Sequence, residues 1–374
     1  MAEGTQNDST LLAALKVIGQ VRDQVRAQAG DLWGQTYNLG TPHIRCPVTS
    51  TPACAPNAED PMAEDMRRVD EVIHRRLSSR VALIDQISHY IVSAGGKRIR
   101  PRLVLLSAAA LGFEGPARYD MAATVEFIHT ATLLHDDVVD ESSLRRGRQT
   151  ANALFGNAAS VLVGDFLYSR AFQMMVEANR LRVLAVLAEA TNVIAEGEVL
   201  QLINMHDADL SVADYLQVIR FKTAKLFEAS AQLGAVLADA PAHLELACAE
   251  YGRALGTAFQ LIDDLLDYEG NTLALGKNVG DDLREGKPTL PLLVAMERGS
   301  DLDRELIRHA IVHGETDRLQ DIVAIVKRVG ALEATRDAAR AEAAKASECI
   351  RQLPDSPSRR ALLELCVRSV DRSS

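Results

Sequence analysis

A stretch without proline, residues 117–240, constrains the fold more than any other feature of the chain. Within it apolar residues recur at helical spacing, as in Met121, Val125 and Ile128, and the alternating patterns typical of strands are scarce. A proline inside a helix removes a backbone hydrogen bond and clashes with the preceding turn, so this stretch permits several long helices in succession. The sequence therefore predicts an all-α protein, a large single-domain helical bundle whose inward-facing side chains surround a central cavity.

The N-terminal part differs in character from the rest. Residues 1–61 contain a candidate short helix at residues 10–33 and then a run broken by repeated prolines, which prevent regular structure. We therefore expect residues 1–61 to be a flexible N-terminal extension and residues 62–374 to form one domain. The glycine-rich residues 269–291 are expected to form a mobile loop between two helices, of the kind that closes over substrates.

Charge and cysteine content exclude several classes of protein. The formal net charge is −10, so the overall field repels nucleic acid, and an anionic substrate would need a local basic pocket. The five cysteines are scattered without a CxxC pair, which indicates neither a disulfide framework nor a zinc site and fits a reducing cytoplasm. No apolar run is long enough to span a bilayer. We expect a cytoplasmic protein without an integral membrane segment.

Two groups of aspartates with the same spacing indicate a metal site. The groups are Asp136, Asp137 and Asp140, and Asp263, Asp264 and Asp267. The i, i+1, i+4 spacing puts three carboxylates on one face of a helix, where they repel one another without a cation. Either group alone is more often a solvated helix end, but two copies in apolar helices favour a site. Carboxylate oxygens suit Mg²⁺, which combines a few of them with waters and substrate phosphate oxygens.

Basic residues accompany both groups. Lys97 and Arg100 lie three apart in GGKRIRP, where two glycines allow close backbone approach. Arg145 and Arg146 follow the first aspartate group, and three lysines occur further on: Lys222, Lys277 and Lys287. Each alone could serve solubility, but beside the aspartates they indicate partners for phosphate oxygens.

Six ordered motifs resemble those of a known family: GGKRIRP, FIHTATLLHDDVVDES, RRGRQTAN, GNAASVLVGDF, AFQLIDDLLDY and GKNVGDDLREGKPTLPLL. They resemble the trans-isoprenyl diphosphate synthases, and within them the long-chain bacterial octaprenyl subgroup. The resemblance begins near Met62 and leaves residues 1–61 without a counterpart. It implies a homodimeric prenyltransferase of the isoprenoid synthase fold, with up to about three Mg²⁺ ions when substrate is bound. It also implies that the enzyme would contact a membrane only transiently, to release product. Its reaction would condense an allylic diphosphate, such as farnesyl diphosphate, with successive isopentenyl diphosphates, giving a C40 chain for quinones.

The resemblance also implies roles for single residues. The diphosphate of isopentenyl diphosphate would be held by Lys97, Arg100, His129 and Arg146. The allylic diphosphate would be contacted by Arg145, Lys222, Thr223, Gln260, Lys277 and Lys287. Direct Mg²⁺ ligands would be Asp136, Asp140 and Asp263. The other three aspartates would either bind Mg²⁺ as well or support the direct ligands without touching the metal: Asp137, Asp264 and Asp267. These aspartates and Lys222 would be the catalytic residues, because they stabilise the negative charge that develops as the allylic C–O bond breaks.

The helix before the first aspartate group carries an expectation about product length. Thr132 and Ala131 precede Asp136 by four and five residues, so they would line the wall about 6–7.5 Å below the allylic head group. Both are small, whereas bulky aromatics commonly stand there in short-chain relatives. The tunnel is therefore expected to continue toward neighbouring helices and residues Phe172, Met174, Met175 and Leu187. Ordinary core filling is an equal alternative for the two methionines.

Three alternatives stay open. The product could be nonaprenyl or decaprenyl rather than octaprenyl. A class I terpene cyclase also ionises an allylic diphosphate with aspartates and Mg²⁺, but it would normally show an Asn/Ser/Glu-type second metal motif and needs no second diphosphate site. A non-catalytic subunit of a heteromeric synthase would be expected to have lost aspartates or arginines, and here all are present.

Overall fold

The computed structural model describes residues 62–93, 95–145, 147–269 and 280–372. The predictions for the extension at residues 1–61, for Arg146 and for Lys277 lie outside the described residues.

The described residues are mostly helical, with short connections between helices. In chain order the helices are α1 (Ala63–Leu77), α2 (Ala82–Ser93), α3 (Ile99–Ala110), α4 (Ala117–Val139), α5 (Ala151–Phe155), α6 (Asn157–Glu177), α7 (Leu181–Asn204), α8 (Val212–Ile219), α9 (Lys225–Leu237), α10 (Ala242–Glu269), α11 (Asp281–Arg284), α12 (Leu290–Arg298), α13 (Asp301–His313), α14 (Leu319–Arg328), α15 (Ala331–Ile350) and α16 (Pro357–Val370). A π-helical turn, Arg220–Ala224, joins α8 to α9. The all-α prediction is confirmed.

The proline-free stretch forms helices α4 to α9, as its periodicity predicts. On α4, Met121, Val125 and Ile128 are fully buried. A small antiparallel hairpin that was not predicted interrupts the stretch, with β1 (Leu144–Arg145) paired to β2 (Arg148–Gln149). Gly147 lies between the strands with φ 72°, the left-handed conformation that a tight turn favours. Strands of two residues are too short to give an alternating pattern, so the sequence could not reveal them.

The centre of the bundle consists of helices that are buried on most sides. Helix α9 packs against α3, α7 and α10, while α10 also packs along α15, and α4 lies against α3 and α6. The contacts are close: a Cβ at Gly234 of α9 would lie 2.5 Å from the backbone nitrogen of Ala108 on α3. This packing fixes α4 and α10 relative to one another, and these two helices carry the aspartate groups.

Of the glycine-rich segment predicted as a mobile loop, the structure describes Glu269, which ends α10, and the part from Gly280 onward. That part contains the short helix α11 and then continues to α12. Its mobility stays a prediction.

In the part of the chain that the structure describes, none of the helices combines the length and apolar character needed to cross a bilayer.

Candidate active site

A cavity of about 700 Å³ lies at the C-terminal ends of α4 and α10, where the sequence predicts a central cavity. Five of the six aspartates line it: Asp136, Asp140, Asp263, Asp264 and Asp267. The predicted substrate-binding residues that line the same cavity are Lys97, Arg100, His129, Arg145, Lys222, Thr223, Gln260 and Lys287. The structure therefore brings together side chains that are far apart in the sequence.

Both aspartate groups lie in the last turns of their helices. Asp136 is in the final turn of α4 and Asp140 follows its last residue, while Asp263 and Asp267 are near the end of α10. The carbonyl groups at a helix C-terminus already carry partial negative charge, so carboxylates there are unfavourable without cations. The two helix ends therefore bring a concentration of negative charge to the cavity.

Side-chain cations meet this negative charge. Lys222 Nζ lies 3.9 Å from Asp136 Oδ2, and Lys287 Nζ lies 3.3 Å from Asp140 Oδ2. A guanidinium nitrogen of Arg372 lies 2.9 Å from Asp263 Oδ1. Burial nevertheless raises the pKa of Asp136, and the charge of Asp140 adds to this, against the opposing effect of Lys222. A further cation at this carboxylate would therefore be favourable.

Asp137 does not line the cavity. Its carboxyl group is fully buried, and Oδ1 accepts a hydrogen bond from Arg145 Nε at 2.8 Å. The side chain of Asn152 donates to the Asp137 carbonyl oxygen at 3.0 Å. In this arrangement Asp137 orients Arg145, which does line the cavity.

Asp264 lines the cavity but is almost wholly enclosed. Tyr215 donates a hydrogen bond to its Oδ2 at 2.5 Å, and Gln260 Nε2 donates to its Oδ1 at 2.7 Å. Burial, and then the charge of Asp282, raise the pKa of Asp264 to about 7, and the two hydrogen bonds only partly offset them.

The π-helical turn presents Lys222 and Thr223 to the cavity. Lys222 Nζ donates to Glu198 Oε2 at 2.6 Å. Thr223 Oγ1 donates to Gln260 Oε1 at 3.0 Å, which connects the π turn to the Gln260–Asp264 contact on α10. A π turn contains one extra residue per turn, and such turns are common at functional sites.

Lys287 follows α11 and reaches the first aspartate group. Its ammonium lies 3.3 Å from Asp140 and 2.5 Å from Glu285. Burial alone would lower the pKa of Lys287, but the charges of Asp140 and Glu285 outweigh it and raise the pKa. Lys287 therefore stays protonated.

Aromatic rings lie against two of the guanidinium groups that line the cavity. The Arg100 guanidinium lies 4.6 Å from the centre of the Phe227 ring, and that of Arg372 lies 3.7 Å from the centre of the Phe259 ring. Burial lowers the pKa of Lys97, and the nearby positive charge of Arg372 lowers it further. Stacked guanidinium groups keep their donors directed to one side, which suits anion binding.

The predicted chain-length residues divide into three classes. Thr132 lines the cavity, and its Oγ1 donates to the His129 carbonyl oxygen at 2.8 Å. Phe172 is 41% exposed at the surface of α6. The others are buried in the core and are not part of the cavity wall: Ala131, Met174, Met175 and Leu187. Their role in product length stays a prediction.

Sequence reasoning missed several residues of the cavity wall. Asp281 and Asp282 line the cavity and are adjacent aspartates in a motif that was used only for the family resemblance. Their pairing was the feature of the sequence that could have marked them as site residues. Glu198 and Arg372 also line the cavity, but no motif marks either of them.

The donor set fits Mg²⁺. Among the described residues, no group of three or more His, Cys, Asp or Glu side chains forms a ready-made metal cage. Mg²⁺ seldom uses such cages, because it keeps waters and takes one or two carboxylates together with substrate phosphate oxygens. Asp136, Asp140 and Asp263 supply carboxylates of this kind around a cavity that can admit the phosphates.

Comparison with known proteins gives consistent matches. Residues 81–329 match the family model described as polyprenyl synthetase. The chain is 56% identical over 311 residues to the octaprenyl diphosphate synthase of Escherichia coli, covering 83% of this chain and 96% of that protein. It is 45% identical over 313 residues to a geranyl-diphosphate-specific all-trans-nonaprenyl-diphosphate synthase of Rhodobacter capsulatus, covering 83% of this chain and 96% of that one. A polyprenyl synthase structure from Caulobacter crescentus, complexed with calcium and isoprenyl diphosphate, superposes with a TM-score of 0.81 at 47% identity, covering 84% of this chain and 96% of the other.

Proposed function

This chain belongs to the polyprenyl synthetase family, and from that membership we infer that it is a long-chain all-trans-polyprenyl diphosphate synthase, a prenyltransferase. We propose octaprenyl diphosphate as its product, made from an allylic diphosphate such as farnesyl diphosphate and successive isopentenyl diphosphates. The proposal draws on the similarity to octaprenyl diphosphate synthases at 54–56% identity. A longer product is the alternative, because the chain is also 45% identical to a nonaprenyl-diphosphate synthase.

One observation carries the proposal: in the part of the chain that the structure describes, five of the six aspartates and eight of the predicted substrate-binding residues line the same cavity. A terpene cyclase would need only one diphosphate site, whereas here Lys97 and Arg100 line the cavity in addition to the lysines that pair with the aspartates of α4. A non-catalytic subunit would be expected to have lost aspartates or arginines, and the sequence retains both aspartate groups and the predicted cations, which disfavours that alternative.

The proposed reaction uses the residues as follows. Lys97, Arg100 and His129 bind the diphosphate of isopentenyl diphosphate, and Arg145, Lys222 and Lys287 bind the allylic diphosphate. As the allylic C–O bond breaks, negative charge grows on the leaving diphosphate, and the fixed cations stabilise it without reorganisation. The isopentenyl double bond then attacks the electrophilic carbon, and loss of a proton completes the step.

We propose Mg²⁺ as the metal, held by Asp136, Asp140 and Asp263. It would supply additional positive charge to the departing diphosphate. Burial raises the pKa of Asp136, so a bound cation would offset an unfavourable charge at that position.

We further propose a homodimer, which the family resemblance implies. Helices α6 and α7 carry exposed large apolar side chains that a partner subunit could cover: Leu162, Val176, Val199, Leu202 and Ile203. A cytoplasmic location and a role in making quinone side chains complete the proposal. In the described residues, Cys248, Cys349 and Cys366 are free thiols, as a reducing compartment favours.

The decisive experiment incubates pure protein with labelled isopentenyl diphosphate, farnesyl diphosphate and Mg²⁺ and separates the products by chain length. We expect a C40 product that is lost on chelation of the metal. Asp136→Asn should abolish it, whereas Asp301→Asn, a change at a side chain that is 98% exposed, should not. Products no longer than C20 from the wild-type protein would refute the long-chain assignment.

A further inference from the structure

Glu198 on α7 is an unexpected residue in this cavity. A carboxylate on a wall that receives diphosphates repels them, so its presence needs another reason. Its Oε2 accepts a hydrogen bond from Lys222 Nζ at 2.6 Å, whereas the same Nζ lies 3.9 Å from Asp136 Oδ2. Lys222 therefore pairs more closely with Glu198 than with the candidate metal ligand.

Gly197, the residue before Glu198, packs against the backbone of the same lysine. A Cβ at Gly197 would lie 2.6 Å from the backbone nitrogen of Lys222 and 2.8 Å from Phe221 Cβ, so α7 can approach the π turn only with glycine here. On the opposite side, a Cβ at Gly256 of α10 would lie 2.7 Å from Ala224 Cα. The π turn is held between two helices, and adjacent residues of α7 fix the backbone and the side chain of Lys222.

We propose that Glu198 is a positioning residue that holds the Lys222 ammonium away from Asp136. Asp136 is then available to Mg²⁺, and the ammonium is available to the allylic diphosphate. A lysine left with Asp136 alone would pair with it directly, and Mg²⁺ would have to displace that ion pair. The inference rests on the proposed function, because it assigns Asp136 to the metal and Lys222 to the substrate.

The test compares Glu198→Gln with Glu196→Gln. Glu196 lies on the outer side of the same helix and is hydrogen-bonded to Asn192 at 2.9 Å, so both changes remove one negative charge from α7. We expect Glu198→Gln to raise the half-saturating Mg²⁺ concentration at least about fivefold, within the range of measured pair couplings. Glu196→Gln should leave it unchanged. The measurements are turnover against Mg²⁺ and calorimetric titration of Mg²⁺ with inorganic pyrophosphate present.

Loss of a negative charge could weaken Mg²⁺ binding without involving Lys222. The same comparison is therefore made in a Lys222→Met background. There Glu198→Gln should change the half-saturating Mg²⁺ concentration by less than about twofold. An equal effect in both backgrounds would mean a general field effect and would overturn the proposal, as would no effect in either.

Glycine variants test the backbone contact separately. Gly197→Ala and Gly234→Ala both introduce a clashing Cβ, 2.6 Å and 2.5 Å from backbone nitrogens, and both should lower the melting temperature. Only Gly197→Ala should also raise the Mg²⁺ requirement, and an equal rise in both variants would count against positioning. An inactive wild-type protein would refute the proposed function, but the calorimetric comparison does not depend on turnover and would still decide the role of Glu198. If the wild-type protein bound no Mg²⁺ with pyrophosphate, both proposals would fail.

Discussion

Burial of the Asp264 carboxylate in the site is expected to lower the free energy of unfolding by an amount that can be measured. Its pKa is raised from 3.8 to about 7 by burial and by the charge of Asp282. Below about pH 4 the carboxyl group is protonated in the folded and unfolded states alike. As the pH rises to 7, only the unfolded state loses the proton, so the free energy of unfolding falls. Above about pH 7 the full penalty remains, and at about 1.36 kcal/mol per pKa unit it amounts to at most about 4 kcal/mol.

Asp264→Asn removes this charge and can keep both hydrogen bonds. The new Oδ1 would accept from Tyr215, and the new Nδ2 would donate to Gln260 if the Gln260 amide flips. Gln260 would then donate to Thr223 Oγ1 rather than accept from it. We therefore expect the metal-free variant to melt about 5 °C above the wild type at pH 8. Turnover should fall at least about tenfold, because a carboxylate facing the metal site is lost.

The assay is thermal melting in chelator from pH 4.5 to 8, with Asp263→Asn as the matched control. Asp263 is 43% exposed and paired with Arg372, so its substitution should give no gain. The advantage of Asp264→Asn should grow with pH, level off above about pH 7, and shrink when Mg²⁺ and pyrophosphate supply compensating charge. A variant no more stable than the wild type at pH 8, or an advantage independent of pH, would refute the reasoning.

Three further predictions concern activity. Asp136→Ala and Asp263→Ala should each lower turnover at least about a hundredfold at saturating Mg²⁺, the order expected on losing one transition-state stabiliser; wild-type rates in both would contradict the metal assignment. Thr132→Phe should shift the product toward C15 to C20, because a ring in the cavity wall competes with the growing chain, and Met175→Ala should lengthen it; unchanged product lengths in active variants would show that the tunnel runs elsewhere. Deleting residues 1–61 should leave turnover and the homodimer intact by product analysis and light scattering, and a large loss of either would show that the extension supports the catalytic domain.

The fold followed from the sequence where local patterns determine structure. The buried positions Met121, Val125 and Ile128 of α4 repeat at the helical period, which results from burying one face of a helix. The two aspartate groups were recognisable because each group has the same local spacing. That both groups line one cavity depends on how α4 and α10 pack, and the sequence indicated this only through the family resemblance.

The missed residues belong to contacts between distant parts of the chain. Arg372 reaches Asp263 across 109 residues, and neither periodicity nor a motif links them. Glu198 lies in a regular helix, and the π turn opposite it supplies Lys222 as the partner of its carboxylate. The π turn itself, Arg220–Ala224, contains neither glycine nor proline, so its own composition does not mark it, and its close contacts are with the distant residues Gly197 and Gly256.

The position of the aspartates at helix C-termini explains why the site contains so many cations. Carbonyl groups and carboxylates combine to bring negative charge to this part of the cavity, and Lys222, Lys287 and Arg372 compensate for part of that charge. Once the carboxylates hold Mg²⁺, we expect the same ammonium and guanidinium groups to become available to phosphate oxygens. Metal and diphosphate binding should then be cooperative, because each removes a charge imbalance that the other would leave. Arg372→Gln, remote from both lysines in the sequence, should weaken this coupling while leaving the aspartates untouched.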